Sequence, residues 1–473
     1  MGARGELSLY EYLYRRIRED ILAGRIAAGE KLPSKRRLAA QLGVSVITVE
    51  GAYTQLMAEG YVYARPKRGY YAAELPRALA TPEKPAPRQL GPAEQAIEEA
   101  SCAQELIADF TRPSLRAGAS AAHLWERALK GAFSQEEQGE LFGSHPPQGS
   151  LRLRNAIASY LEQARGMKVS PANIVVGAGS QVLCCLAALL VGKGAAVALE
   201  NPGYPRLSQS YQALGHPVLA VPLDAEGISM NALVASGASV AHVQPSHQFP
   251  TGKVMSIARR YQLLSWASEQ EGRYIVEDDY DWEFRLAGMP IPSLQSIDAL
   301  GRVVYLSTFS KSLSSALRIS FAVLPDSLIE SFHASAGVLG STVSSVDQLA
   351  LARVIESGEY QRHLSRYRKQ SKEVRDQLIA ALQGSRLGPR LSISEEDSGL
   401  HFVMGLQDGR SGVELARRAL QRGVALAPLE SYQMGVPFAQ QGDEATFVMQ
   451  YDGLDASRIE AVVRALEEAL GCD

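Results

Sequence analysis

Leu9, Leu13, Ile17 and Ile21 recur every four residues, an apolar stripe that predicts a first helix broken by Gly24 and Gly29. Pro33-Ser34 opens a second helix, with Ser34 as N-cap, Leu38-Ala39 facing inward and Gly43 closing it. Ser45 caps a third helix, which carries Val49, Tyr53 and Leu56 on one face and ends at Gly60. Tyr61-Val62-Tyr63 and Tyr70-Tyr71-Ala72 flank ARPKRG and read as a short hairpin. Farther along, the period changes. Apolar runs at Ile174–Val176, Ala196–Leu199, Val218–Val221, Val240–Val243, Tyr274–Val276, Val303–Leu306 and Ile319–Leu324 alternate with helical stretches. Continuous apolar strands separated by amphipathic helices predict a mostly parallel sheet covered on both faces.

The first pattern, helix followed by helix–turn–helix and hairpin, is the order of a winged helix–turn–helix. The second is an α/β body. Between them, residues 76–108 carry four prolines within residues 82–92 and little periodicity, a linker composition. The chain therefore divides into a head (1–75), a linker (76–108) and a body (109–473). The body is expected to split into a large lobe, about 109–325, and a smaller, more helical one, about 326–473.

Composition narrows the class. The chain has 473 residues, 46% of them hydrophobic, and no stretch of 18 apolar residues, so no membrane-spanning helix and no membrane partner are expected. The N-terminus carries acids early and has no apolar signal core, which predicts a cytoplasmic protein. Cys102, Cys184, Cys185 and Cys472 form no disulfide framework, and no Cys/His spacing resembles a metal site. A net charge of −3 hides an asymmetry: residues 1–75 hold 12 Lys+Arg against 8 Asp+Glu. A basic head on an acidic body suggests an anionic partner for the head, although charges on a solvated face cluster by chance as well.

In such a head the N-terminal part of the third helix enters the major groove of double-stranded DNA. Ser45 and Thr48 stand there, with Val46 and Ile47 suited to a thymine methyl; Thr48 is equally suited to capping the helix. Lys35, Arg36 and Arg37 are placed for phosphates, and Arg65, Lys67 and Arg68 in the wing for the backbone or a minor groove. The segment LPSKRRLAAQLGVSVITVEGAYTQLMAEGYV resembles the GntR-type winged helix, with Val46 where that type often carries arginine.

Four segments of the body carry chemistry, each at the C-terminal end of an apolar strand, where open α/β sheets bind ligands. Gly177-Ala178-Gly179-Ser180-Gln181 leads into a helix whose free N–H groups suit a phosphate, or merely make a turn. Glu200-Asn201-Pro202-Gly203-Tyr204 puts a ring on a strand-end loop, for stacking or for the core. Glu277-Asp278-Asp279-Tyr280-Asp281 crowds four acids after a buried strand, a costly arrangement unless cations face them. Thr308-Phe309-Ser310-Lys311-Ser312, with Arg318 beyond, offers an amine amid hydroxyls, suited to a Schiff base beside a phosphate.

NPGYPR, PSHQFPTG, EDDYDWEF and TFSKS…LRIS together resemble fold-type I aminotransferases, and the whole chain resembles the MocR family of transcriptional regulators. The resemblance implies pyridoxal 5′-phosphate held by Lys311 as a Schiff base. Asp278 then pairs with the pyridine nitrogen, Tyr280 bonds the phenolic oxygen and Tyr204 stacks on the ring. Ser180, Gln181, Thr308, Ser310 and Arg318 hold the phosphate. It further implies a homodimer on operator DNA, with the body sensing pyridoxal phosphate, a small amine or an amino acid. Aminotransferases usually clamp the substrate carboxylate with an arginine near the chain's end; here Val448 occupies that place, which disfavours transamination. Arg206 is then the candidate for an effector's acid group, or else a surface charge. The alternative is an active aminotransferase carrying a DNA-binding head.

Overall fold

The computed structural model describes residues 8–75, 106–112, 119–133, 138–143, 145–286, 291–397, 399–435 and 444–471. They form two compact units, which divide at residues 103 and 104. Nearly all of the expected linker lies outside the described residues. Among the described residues no helix is long and apolar enough to cross a membrane.

The head follows the sequence pattern closely. Helices Leu9–Leu22, Lys35–Leu42 and Val46–Ala58 precede a hairpin of β1 (Val62–Arg65) and β2 (Gly69–Ala72). The Ser34 hydroxyl accepts from the Arg37 N–H and the Ser45 hydroxyl from the Thr48 N–H, so each polar cap satisfies a donor the helix cannot. Gly43 ends the second helix in the left-handed region, φ 65°, where a side chain would be strained. Leu13, Ile17 and Ile21 pack with Val49, Ala52, Tyr53 and Leu56 in one core. Leu9, the fourth residue of the predicted stripe, stays exposed because it starts its helix one turn beyond that core.

The body is built on an eight-stranded sheet in the order β4-β11-β10-β9-β8-β5-β6-β7. Its strands are β4 (Ile174–Gly177), β5 (Val197–Asn201), β6 (Val218–Asp224), β7 (Gly227–Ile228), β8 (Val240–Val243), β9 (Tyr274–Asp278), β10 (Val303–Thr308) and β11 (Ser320–Val323). From β10 through β6 the pairs are parallel, while β11 runs antiparallel between β10 and β4. The C-terminal ends of β4, β5, β8, β9 and β10 therefore share one edge. Apolar clusters pack on the sheet: one holds Leu183, Leu199, Tyr211 and Leu306, another Leu263, Trp266 and Ile275.

A second sheet, β12-β13-β16-β15, is antiparallel and comprises β12 (Leu391–Ser394), β13 (His401–Gln407), β15 (Ala427–Pro428) and β16 (Glu444–Gln450). The lobe boundary differs from the one expected at about residue 325. The core that holds Leu153 and Ile157 continues through Leu351, Ile355, Tyr360 and Leu364. Conversely, β3 (Ala108–Asp109) pairs with β14 (Val424–Ala425), and Phe110 joins the core of the second sheet. A chain that starts in one lobe, builds the other and returns carries no local signal of the switch, so composition alone misplaces it.

Candidate functional site

At the shared edge of the large sheet, the β4 turn leads into the helix Ser180–Leu190, whose N-cap is Gly179 at φ 97° with no side-chain cap. A Cβ on Gly179 would overlap the Arg318 guanidinium. The charge of Arg318 thus lies at the open N–H end of this helix, beside Ser180 and Gln181. Arg318 itself has φ 50°, a conformation costing about 1–3 kcal/mol that residues adopt mainly where function fixes them. The Ser310 hydroxyl is buried with no hydrogen-bond partner. A cationic guanidinium, a helix N-terminus and an orphaned hydroxyl around a space cleared by glycine suit a phosphate.

Thr308 differs from expectation. Its hydroxyl donates to the Ile319 carbonyl (3.4 Å) and accepts from the Ser310 N–H (3.1 Å) and the Ser320 hydroxyl (2.7 Å). With its donor and both lone pairs engaged, it braces the turn that presents Ser310 and Lys311 and has nothing left for a ligand.

The acid cluster after β9 sorts itself residue by residue. Glu277 accepts from the N–H groups of Leu294 (2.8 Å) and Gln295 (2.9 Å) and lies 4.0 Å from Arg260. Burial, then the neighbouring Asp279, pushes its carboxyl up to about 7. Asp279 is bound by Arg165 (2.7 Å) and the Tyr305 hydroxyl (3.0 Å). Asp281 pairs with His247 (2.8 Å). Asp278 alone points at the strand-end edge, where Gln244 Nε2 donates to it at 3.1 Å. The cations demanded by this cluster are therefore partly supplied by the protein, by Arg260 and Arg165. Tyr280 lies beside it, its hydroxyl 3.3 Å from His247 Nδ1.

Lys311, in the turn after β10, lies 3.8 Å from the buried Asp452. Tyr204, 39% exposed, meets Phe249 edge-on at 6.0 Å, and Phe249 in turn meets Tyr432 at 5.1 Å. A small cavity beside Tyr204 is lined by Glu200, His242, Gln244, Gln248 and Met434. Glu200 accepts from the Gln244 N–H at 3.0 Å, and burial pushes its carboxyl up to about 8. Arg206, in the first turn of the helix Pro205–Ala213, is exposed.

The second sheet closes the surroundings of Lys311. Phe402, Met404, Phe447 and Met449 point into that lobe's core. By the two-residue alternation of strands, His401, Val403, Val448 and Gln450 face the other way, and the register pairs His401 with Gln450 and Val403 with Val448. His401 stacks on His247 with ring centroids 4.2 Å apart, and burial, then His247 and Lys311 beside it, holds its pKa well below the ordinary value. His247, Asp281 and His401 bring ligand-type atoms within 4.8 Å of one another. The two histidine rings are tilted at 39° to each other. The sequence reading gave Glu200 no role of its own and passed over His242, Gln244 and His401. A histidine in an otherwise apolar strand, as in Val240–Val243, was the available signal.

In the head, Arg36, Arg37, Lys67 and Arg68 are exposed. Lys35 instead bonds Glu50 and lies over the Tyr70 ring, 5.5 Å from its centroid, which diverts it from phosphates. Ser45 and Thr48 bond each other through their hydroxyls at 2.8 Å as well as capping the helix. Ile47 is 79% exposed and Val46 41%.

The chain matches the family Bacterial regulatory proteins, gntR family, over residues 9–71, and Aminotransferase class I and II over residues 115–464. It is 36% identical to the uncharacterized HTH-type transcriptional regulator YhdI of Bacillus subtilis, covering 99% of this chain and 97% of that one. It is 33% identical to the probable rhizopine catabolism regulatory protein MocR of Rhizobium meliloti, over 98% and 94%. Among solved structures, LysN of Thermus thermophilus, an α-aminoadipate aminotransferase complexed with N-(5′-phosphopyridoxyl)-L-leucine, aligns with a TM-score of 0.63. It is 27% identical and covers 79% of this chain and 94% of that one.

Proposed function

Because the chain belongs to the family of transcriptional regulators that join a GntR-type head to an aminotransferase class I and II body, we propose that it binds operator DNA as a homodimer under the control of pyridoxal phosphate and of a small amine. The observation that carries this reading is the set of residues around Lys311. They comprise a phosphate cradle and a ring-nitrogen carboxylate on one side, and a sheet face bearing His401, Val403, Val448 and Gln450 on the other. Pyridoxal phosphate, when bound, supplies an aldehyde that condenses reversibly with an amine.

In this reading Arg318, the N–H groups of Ser180 and Gln181, and the Ser310 hydroxyl bind the phosphate, while Thr308 holds their turn in place. Asp278 faces the ring nitrogen, Tyr280 the phenolic oxygen and Tyr204 the ring face. Lys311 is the residue joined covalently to the cofactor. The alternative, an aminotransferase carrying a DNA-binding head, needs the same residues and also a clamp for the substrate carboxylate. Val448 supplies none, and a charge-assisted hydrogen bond is worth about 1.5–3 kcal/mol, so ordinary α-amino acids should act weakly. Arg206 is the one candidate for an effector's acid group in our reading. Cytoplasmic location follows for a protein that must reach DNA.

Absorbance titration with pyridoxal phosphate, followed by borohydride reduction, tests the cofactor; Lys311→Ala should abolish the covalent linkage. Footprinting of the upstream DNA with and without pyridoxal phosphate tests the regulation. A footprint that neither the cofactor nor any amine alters would return the body to the role of an enzyme.

A further inference from the structure

We propose that His242 is a positioning residue for the cofactor's ring nitrogen, acting through Asp278, and that Tyr211 orients it to donate to Asp278 when the cofactor is bound. The inference rests on the pyridoxal phosphate reading above and adds residues to it.

Three elements meet here. Tyr211, on the helix Pro205–Ala213, places its hydroxyl 2.9 Å from His242 Nδ1 on β8. His242 Nε2 lies 3.9 Å from Asp278 Oδ2 at the end of β9. The histidine side chain has no exposure to solvent, Tyr211 is nearly as buried, and Nε2 has no hydrogen-bond partner among the described residues. An imidazole nitrogen so placed in an apolar strand is costly unless it serves something in front of it.

The direction of the chain follows from its parts. If Nδ1 carried the proton, the Tyr211 hydroxyl would have no acceptor among the described residues, and the Nε2 lone pair would face a carboxylate. The phenol therefore donates to Nδ1, and the Nε2–H points at Asp278. Burial pushes the Tyr211 phenol well up, so it remains a donor. Gln244 Nε2 donates to the same Asp278 oxygen at 3.1 Å. Against these two donors stand the acids and thiols that face Asp278: Glu200 from β5, raised partly by Asp278 itself, and Cys184 from the helix Ser180–Leu190. Tyr280 adjoins it in sequence. Donors aimed at Asp278 orient its carboxylate toward the ring nitrogen it would face.

The chain explains a gap as well as a contact. The 3.9 Å separation exceeds a hydrogen bond, so the His242 donor is poised toward Asp278 and not already spent on it. A carboxylate drawn toward a ligand can take up that donor with a small shift.

The test compares pyridoxal phosphate with 1-deazapyridoxal phosphate, in which carbon replaces the ring nitrogen, using full-length protein and equilibrium dissociation constants. His242→Leu should lower affinity for pyridoxal phosphate by about tenfold or more, as expected for losing a hydrogen bond to a charged group, and Tyr211→Phe by about threefold or more, as for an ordinary one. Affinity for the deaza analogue should not change, and His242→Gln, which keeps a donor, should recover part of the loss. The absorbance of bound pyridoxal phosphate should also titrate at lower pH in His242→Leu than in wild type. If the variants lose both ligands equally, His242 merely fills space, and if they lose neither, the chain does not reach the cofactor; either result overturns the proposal. Wild-type protein that binds pyridoxal phosphate but shows no preference over the deaza analogue also overturns it. Failure of wild type to bind pyridoxal phosphate at all overturns the cofactor reading with it.

Discussion

Gly179→Ala is the sharpest single test of the phosphate cradle. The added methyl would occupy the space of the Arg318 guanidinium, so Arg318 must swing away from the N-terminus of the helix Ser180–Leu190. A hydrogen bond from a charged donor is worth about 1.5–3 kcal/mol, which converts to a loss of affinity of about 10- to 150-fold. A separate cost arises because alanine must adopt φ 97°, about 1–3 kcal/mol of folded-state strain that cofactor binding does not relieve. The two effects separate experimentally. Thermal melting of cofactor-free protein should report the strain as a drop of a few degrees, while titration with pyridoxal phosphate reports the cradle. Arg318→Ala should lower affinity similarly without the loss in melting temperature, and adding Gly179→Ala to it should then cost little further affinity. Undiminished binding in Gly179→Ala would mean that the phosphate lies elsewhere, and the assignment of Ser180, Gln181, Ser310 and Arg318 would fall with it.

Three further outcomes follow from the geometry. Replacing Arg36 and Arg68 with glutamine should lower the slope of log affinity against log salt by about 1.8 per bound protomer, about 3.6 for the homodimer, whereas Lys35→Gln should change it less, since Glu50 already engages that ammonium. Uracil in place of a thymine contacted by Ile47 should weaken operator binding about fourfold, the value of one buried methyl, and the difference should vanish in Ile47→Ala. Glu200, pushed by burial to about 8 from an ordinary 4.5, contributes stability that is present below its ordinary value and lost as pH rises through about 8. Denaturant unfolding of cofactor-free protein at pH 6 and pH 8.5 should therefore show a smaller loss of stability in Glu200→Gln than in wild type.

What the sequence made legible, and what it did not, has a physical pattern. The head was readable because its signals are local: Ser34 and Ser45 cap helices that begin one residue later, and Gly43 ends one. Strand ends were equally readable, since apolar runs stop where Gly177, Asp278 and Thr308 reach the edge of the sheet. The hidden features are pairings across long separations. Nothing near Asp279 announces Arg165, and nothing near Lys35 announces Glu50. Thr308 was misjudged for the same reason: a hydroxyl next to a reactive lysine looks available until Ser320, twelve residues on, is seen to bond it. The return of residues 108–110 to the second lobe is likewise a pairing, with Val424 and Ala425, that no window of sequence contains.

These pairings also bear on why the body suits a sensor. A ligand alters DNA binding only by favouring one arrangement of the protein over another, so occupancy alone is without consequence. The residues around Lys311 come from both lobes. Ser310 and Arg318 belong to the large sheet, while His401 and Asp452 belong to β13 and the turn after β16 in the second sheet. Lys311 lies 3.8 Å from Asp452, and chemistry that engages its nitrogen alters that contact between lobes. A charge contact with one partner buried is screened less than a surface pair, so altering the lysine is felt more strongly there. In the proposed reading, cofactor binding and amine exchange at Lys311 would change a contact between the second sheet and the first, a difference of the kind a regulator needs to act.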